Sequence, residues 1–402
     1  MFKSFTRLVV SVMLLLSVLP LTLSMVGAQE SVDIVVLLPD SQSSTRWEND
    51  DRRFFEQAFE EAGVTYNIVN AEGDAATQIT QAEQAITNGA KVLLMVNLDS
   101  GSGASIIELA RENGVAIIDY DRLTIEGPGA DYYVSFDNVA VGRLQGEGLV
   151  AAVEAAQADG SISSDEPVRV AVLNGSPTDN NATLFKQGYD SVIDPLFESG
   201  DWEKVDDQSV PDWDNQEALV LFEQILTAAG GDIDAAIAAN DGLAGAVIEA
   251  LGNQGFDPIP VTGQDATVEG LQNILLGRQS MTVYKATRAQ ATAAAELAVA
   301  ILNDDQAAID ELIGEGVTNN GTNDIPSLLL VPVAVTVDNI AETVIADNFR
   351  NIEDICSGDV EAACEESGLN AAVEALSATE EPGMEATEEA EATEEATEEA
   401  GS

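Results

Sequence analysis

What most constrains this chain is the polarity of its short β-rich runs. "VDIVVLLPD", "VTYNIVNA", "KVLLMVN" and "VAIIDYD" are continuously apolar rather than alternating. That is expected of parallel strands covered on both faces. Between them lie "WENDDRRFFEQAFEEAG", "AATQITQAEQAITNGA" and "GASIIELARENG", with apolar residues at helical spacing and a glycine stop near each end. The rhythm restarts at "VRVAVLNG", "IDAAIAAN" and "IPVTGQD", each followed by a helix. A βαβ series run twice predicts two doubly wound α/β lobes with parallel sheets.

In open parallel sheets, ligands sit at the carboxyl ends of the strands. Here those ends read Asp121-Arg122, Asp179-Asn180-Asn181, Asn240-Asp241, Gln264-Asp265 and Tyr284-Lys285, and Arg46-Trp47 joins them from the first strand–helix loop. Asp and Asn are also favoured helix caps, and one cap needs one residue. Six polar ends drawn from two lobes point instead to a shared cleft.

The sequence contains no histidine, which removes the commonest general base and the commonest metal ligand. No catalytic residue, metal or cofactor is expected. An enzyme reading, a glycoside hydrolase using Asp179 and Asp265 as a carboxylate pair, is the weaker alternative. With 71 acidic and 16 basic residues the formal charge is −55. That repels phosphate backbones and argues against nucleic acid as a partner. It suits a neutral or cationic ligand, or a salty or acidic habitat.

The opening "MFKSFTRLVVSVMLLLSVLPLTLSMVGAQE" has Lys3 and Arg7 ahead of an apolar run ending in small residues. This predicts a signal peptide over 1–28 with cleavage after Ala28, hence an exported, periplasmic or extracellular protein. In that setting Cys356 and Cys364, the only cysteines, read as a disulfide. They close a small helical appendage over 350–378. The Thr-Glu-Glu-Ala tail over 379–402 is too charged and too poor in large apolar residues to fold alone. Glycosylation-like triplets at Asn174, Asn181 and Asn320 are read as chance.

Seven segments, "RWENDDR", "IDYDR", "YYVSFDN", "NGSPTDNNA", "AANDG", "TGQDA" and "MTVYK", stand in an order and spacing that resembles the periplasmic sugar-binding proteins of ABC importers, most closely their D-xylose-binding branch. The resemblance runs from about Val32 to Phe349. It implies the type I periplasmic binding protein fold, with two lobes joined by three crossovers and closing on one monosaccharide. The crossovers are expected near Phe136-Asp137-Asn138, Tyr284-Lys285-Ala286 and Val331-Pro332-Val333. The N-terminal lobe is then 31–137 plus 286–331, and the C-terminal lobe 138–285 plus 332–349.

Carried over by position, Arg46, Asp121, Arg122, Asp179, Asn181, Asn240, Asp265 and Lys285 look like the hydroxyl-binding set. Trp47 and Trp213 look like the aromatic faces. Carboxylates, amides and cations suit hydroxyls that both donate and accept, and indole suits the apolar C–H faces of a pyranose. The sequence departs from the branch at "VPDWDNQ", where a glycine-preceded tryptophan is common. The resemblance implies a monomer that delivers D-xylose or a similar aldopentose to an ABC permease. A hexose-binding protein or a sugar-sensing receptor component is the alternative.

Overall fold

The computed structural model describes residues 32–379. The expected signal peptide and nearly all of the acidic tail lie outside these residues. Strands β1 (Ile34–Leu38), β2 (Tyr66–Asn70), β3 (Val92–Met95), β4 (Ala116–Tyr120) and β5 (Tyr132–Phe136) build the first lobe. Strands β6 (Val168–Asn174), β7 (Trp202–Ser209), β8 (Ala235–Ala238) and β9 (Thr282–Tyr284) build the second. The chain then returns through β10 (Val317–Asn319) and β11 (Asp324–Leu330) before β12 (Val333–Val335).

The first sheet has the order β10-β11-β5-β4-β3-β1-β2, and β7-β6-β8 and β12-β9 form the second lobe's ribbons. Pairing is parallel except at two returning segments, where β10 runs antiparallel to β11 and β12 antiparallel to β9. Both sit at a sheet edge, where a strand with one partner can take either direction. β11 pairs with β5 in the first sheet, and three residues later β12 pairs with β9. The chain therefore passes between lobes after Phe136, after Tyr284 and after Leu330. Of the expected strand "IPVTGQD", only an isolated bridge at Val261 forms.

The continuous apolar runs follow from two-sided burial. Ile34, Val36 and Leu38 of β1 enter one hydrophobic cluster, while Val35 and Leu37 enter another on the opposite face. By contrast β7, "WEKVDDQS", is an edge strand with mostly exposed or half-buried residues, so its sequence carries no such run.

In the second lobe, helices Asn138–Asp159 and Asn180–Ser199 pack backbone to backbone. A Cβ at Gly142 would lie 1.9 Å from the Phe185 carbonyl oxygen. This close approach brings the start of the second helix against the first crossover.

Residues beyond β12 do not stay with one lobe. Ile340, Ala341, Val344 and Phe349 share a cluster with Phe54 and Phe55 of the first lobe and with Leu271 and Ile274 of the second. The appendage is helical, over Ile352–Ile355, Glu361–Glu366 and Leu369–Thr379. Cys356 and Cys364 are joined within it, with an S–S distance of 2.00 Å. Ile355, Val360, Cys364 and Leu369 are buried in that same cluster.

Candidate functional site

A small cavity of about 30 Å³ lies between the lobes, and Arg46, Trp47, Asp121, Arg122, Asp179, Asn181, Trp213, Asn240, Asp265 and Lys285 all line it. All ten residues expected to contact the ligand are thus brought to one place, whereas the strand-end residues Asn180, Asp241 and Tyr284 do not line it. Each side chain is held there by a local feature of the chain.

Arg46 and Trp47 open a π-helical turn, Trp47–Asp51, directly after the β1 loop. The Arg46 guanidinium donates to Asp51 through Nε (2.8 Å) and Nη2 (2.8 Å), to Asp121 Oδ2 through Nη1 (2.9 Å) and to Gln290 Oε1 through Nη2 (2.9 Å). Burial disfavours its charge, and Asp51 and Asp121 outweigh that penalty, so its pKa stands well above the ordinary arginine value. Tyr120 donates to Asp51 Oδ1 at 2.5 Å behind it. The Trp47 indole donates to Ser43 Oγ at 3.1 Å, and the Arg46 guanidinium carbon lies 4.5 Å from its ring centroid.

Asp121 follows β4 in a left-handed conformation, φ +64°. Burial pushes its carboxyl up, but Arg46, Lys285 and Arg122 together outweigh that and hold it at about 2. It is therefore ionised at neutral pH.

Asp179, Asn180 and Asn181 divide their work. Asp179 caps its helix, with Oδ1 accepting from the Asn181 backbone N–H at 2.9 Å, while Oδ2 accepts from the Trp213 indole at 3.2 Å. The same Oδ2 lies 3.0 Å from Arg122 Nε as an ion pair. Asn181 Nδ2 donates to the Asp121 backbone oxygen (3.0 Å) and to its Oδ1 (3.1 Å), and its own Oδ1 accepts from Asn138 at 2.9 Å. Asn180 is half-buried and does not line the cavity.

Asn240 caps the helix Asp241–Gln254 through Oδ1, which leaves its amide N–H groups for the cavity. Asp265 has φ +96°, its Oδ1 lies 3.2 Å from Lys285 Nζ, and its Oδ2 accepts from Ser44 of the first lobe at 3.4 Å. Trp213 is 5% exposed and meets Phe185 edge to face, with centroids 6.4 Å apart. Asp212 and Trp213 both lie in the left-handed region, φ +53° and +57°. The segment that lacks the branch's glycine therefore adopts the backbone a glycine would favour.

Three cations, Arg46, Arg122 and Lys285, face three carboxylates, Asp121, Asp179 and Asp265. In a chain of net charge −55 the lining is locally neutral. Arg122 Nε and Asp265 Oδ1 meet only their ion-pair partners Asp179 and Lys285, and the buried Gln264 Oε1 has no hydrogen-bond partner among the described residues. Burying such groups unpaired is costly. A hydroxyl donor in the cavity would answer the Gln264 oxygen.

The expected binding set left out four lining residues, Ser43, Ser44, Phe185 and Gln264, the last of them marked only as a strand end. Gln264 carries a signal, since it ends the same segment as Asp265, while Phe185 fits the apolar spacing of its helix and reads as core. Gln290, which supports both Arg46 and Asp121, carries no local signal at all. Asn174, Asn181 and Asn320 are each at most 4% exposed, too buried in the folded chain for glycosylation.

Residues 34–306 match the periplasmic binding protein domain. The chain belongs to the periplasmic binding protein family. Within that family it is 37% identical over 306 residues to the D-xylose-binding periplasmic protein of Escherichia coli K12, covering 76% of this chain and 87% of that one. It is also 37% identical over 311 residues to the D-xylose-binding periplasmic protein of Haemophilus influenzae, covering 77% and 88%. Among solved periplasmic binding proteins, the carbohydrate transporter solute-binding protein of Chloroflexus aurantiacus, in complex with D-glucose, superposes with a TM-score of 0.72 at 31% identity. That match covers 80% of this chain and 98% of the other.

Proposed function

We propose that this chain is an exported binding protein that captures a neutral monosaccharide, D-xylose or a similar aldopentose, between its lobes and delivers it to an ABC permease. One observation carries the reading. Two lobes converge a charge-balanced set of donors and acceptors on one cavity, with indoles beside it. Carboxylates and amides take sugar O–H groups, and the cations donate to sugar oxygens. Closure of the lobes about the crossovers gives a small ligand contacts that the open form lacks. The ten expected residues act as binding groups, and no step of bond making is assigned to them.

A hexose is the second reading. It is favoured by the D-glucose complex of the Chloroflexus relative and by the altered segment at Asp212-Trp213. Calorimetry against a panel of pentoses and hexoses decides between them. The expected result is a dissociation constant near micromolar for D-xylose, roughly −8 kcal/mol, with D-glucose weaker. Tight binding of a hexose with no pentose heat refutes the pentose reading, and the absence of heat with any monosaccharide refutes the cleft itself.

A further inference from the structure

The residues that follow the third crossover make a junction outside the cavity. Arg350 donates to both carboxylate oxygens of Asp50, Nη1 to Oδ1 at 2.8 Å and Nη2 to Oδ2 at 2.9 Å. Its Nε donates to the Ala266 backbone oxygen at 3.1 Å. Asp50 belongs to the first-lobe turn that starts with Trp47, directly after Arg46. Ala266 follows Asp265 in the second lobe, and both have positive φ, +46° and +96°. One guanidinium therefore ties together the two turns that aim Arg46, Trp47 and Asp265 at the cavity.

The base of this guanidinium is itself held on both sides. Its carbon lies 3.8 Å from the Phe349 ring centroid, and Phe349 packs on Tyr284 at 5.0 Å. Tyr284 bonds Asp347, and Gln272 of the second lobe donates to the backbone oxygens of Asp354 (3.2 Å) and Ile355 (3.0 Å) at the start of the appendage. From the first lobe, Arg288 donates to the Asn348 backbone oxygen at 3.3 Å. The Arg350 side chain is 12% exposed and that of Asp50 3%, so the pair is largely shielded from solvent screening.

We infer that Arg350 is a positioning residue, an interlobe fastener that holds the cleft closed without touching the ligand. Whichever lobe the 336–350 segment follows on opening, one arm of the fork must break. If it stays with the second lobe the Asp50 pair is lost, and if it stays with the first the Ala266 bond is lost. The fork is complete only when the lobes are together, so it adds to closed-state stability and slows release. The inference rests on the sugar-binding reading above.

Stopped-flow tryptophan fluorescence and calorimetry with D-xylose and D-glucose test it on the full chain. Arg350→Ala is expected to weaken every sugar that binds by a common factor of about ten, the loss expected for one charge-assisted pair, mainly through faster release. Asp50→Asn, which also loses the 3.4 Å pair with Arg53, should weaken binding as well, and Arg350→Lys should restore part of the affinity. A lining-residue defect would instead change the ratio between sugars. If Arg350→Ala fails to fold, Asp50→Asn and Arg350→Lys carry the test. Wild-type affinity and release in these variants, or losses that differ between sugars, overturn the fastener while leaving the sugar reading intact. A wild-type protein that binds no sugar overturns both.

Discussion

Asn181 of the second lobe donates from a single amide nitrogen to the carboxylate and the backbone oxygen of Asp121 in the first, at 3.1 and 3.0 Å. With its Oδ1 engaged by Asn138 at 2.9 Å, most of its hydrogen-bonding capacity goes to the protein. Asn181 is a clasp between the lobes. Asn181→Ala leaves Asp121 Oδ1 and the Asn138 amide short of a partner. Sugar affinity should fall by about 1.5–3 kcal/mol, the range for a bond to a charged group. Small-angle scattering should show that sugar-bound variant less compact than the wild type. An unchanged scattering profile with normal affinity would rule out the clasp.

Asp265 concentrates polar demand in the cavity, since its Oδ1 accepts no hydrogen bond from the protein and lies 3.2 Å from Lys285 Nζ. Asp265→Ala removes an acceptor for sugar hydroxyls and leaves Lys285, 5% exposed, without its ion-pair partner. The loss of affinity should be at least about 2 kcal/mol. Calorimetry that returns a wild-type dissociation constant for this variant would place the ligand elsewhere.

Gly175 is where Trp213 comes to rest. A Cβ there would lie 2.0 Å from the indole Cη2, and Trp213 is pinned from its other end by the bond to Asp179 at 3.2 Å. Gly175→Ala must displace the indole, at about 1–3 kcal/mol for such overpacking. Tryptophan emission should shift and pentose-over-hexose preference should change. A variant with unaltered emission and selectivity would show that the indole does not shape the cleft.

Stability should depend on pH through Asp119. Burial pushes its carboxyl up to about 7 against the bonds it accepts from Thr124 at 2.7 and 3.0 Å. The unfolded carboxyl titrates near 3.9, so between about pH 4 and 7 the folded state holds the extra proton and stability falls as pH rises. Asp241, likewise raised to about 7 by burial, adds to the slope. Asp121, held at about 2, acts in the opposite sense, stabilising the fold above about pH 4 and losing that contribution as pH falls toward 2. Urea midpoints should therefore drop between pH 5 and pH 8, and Asp119→Asn should flatten the drop by on the order of a few kcal/mol. Parallel profiles for variant and wild type would show that Asp119 ionises freely in the fold.

The sequence alone determined what local periodicity and strand-end chemistry can encode. Apolar runs buried on both faces, as at Ile34–Leu38, mark strands, and polar residues just after them mark the cleft because a parallel sheet presents all such ends on one edge. That logic found Asp121, Asp179, Asn240, Asp265 and Lys285, and the family resemblance added Trp213, which no strand-end rule selects. Edge strands escaped it: β7 is charged and β10 is three residues long, since an edge needs no two-sided burial. Only the tertiary structure decided how the marked residues share their bonds. Asp179 caps a helix with one oxygen and holds Trp213 and Arg122 with the other. Asn181 clasps Asp121 across 60 residues, Gln290 reaches Arg46 across 244, and Arg350 reaches Asp50 across 300. Hydrogen bonds between such distant positions leave no period in the chain. They exist only because folding brings two lobes and a C-terminal segment to the same edge.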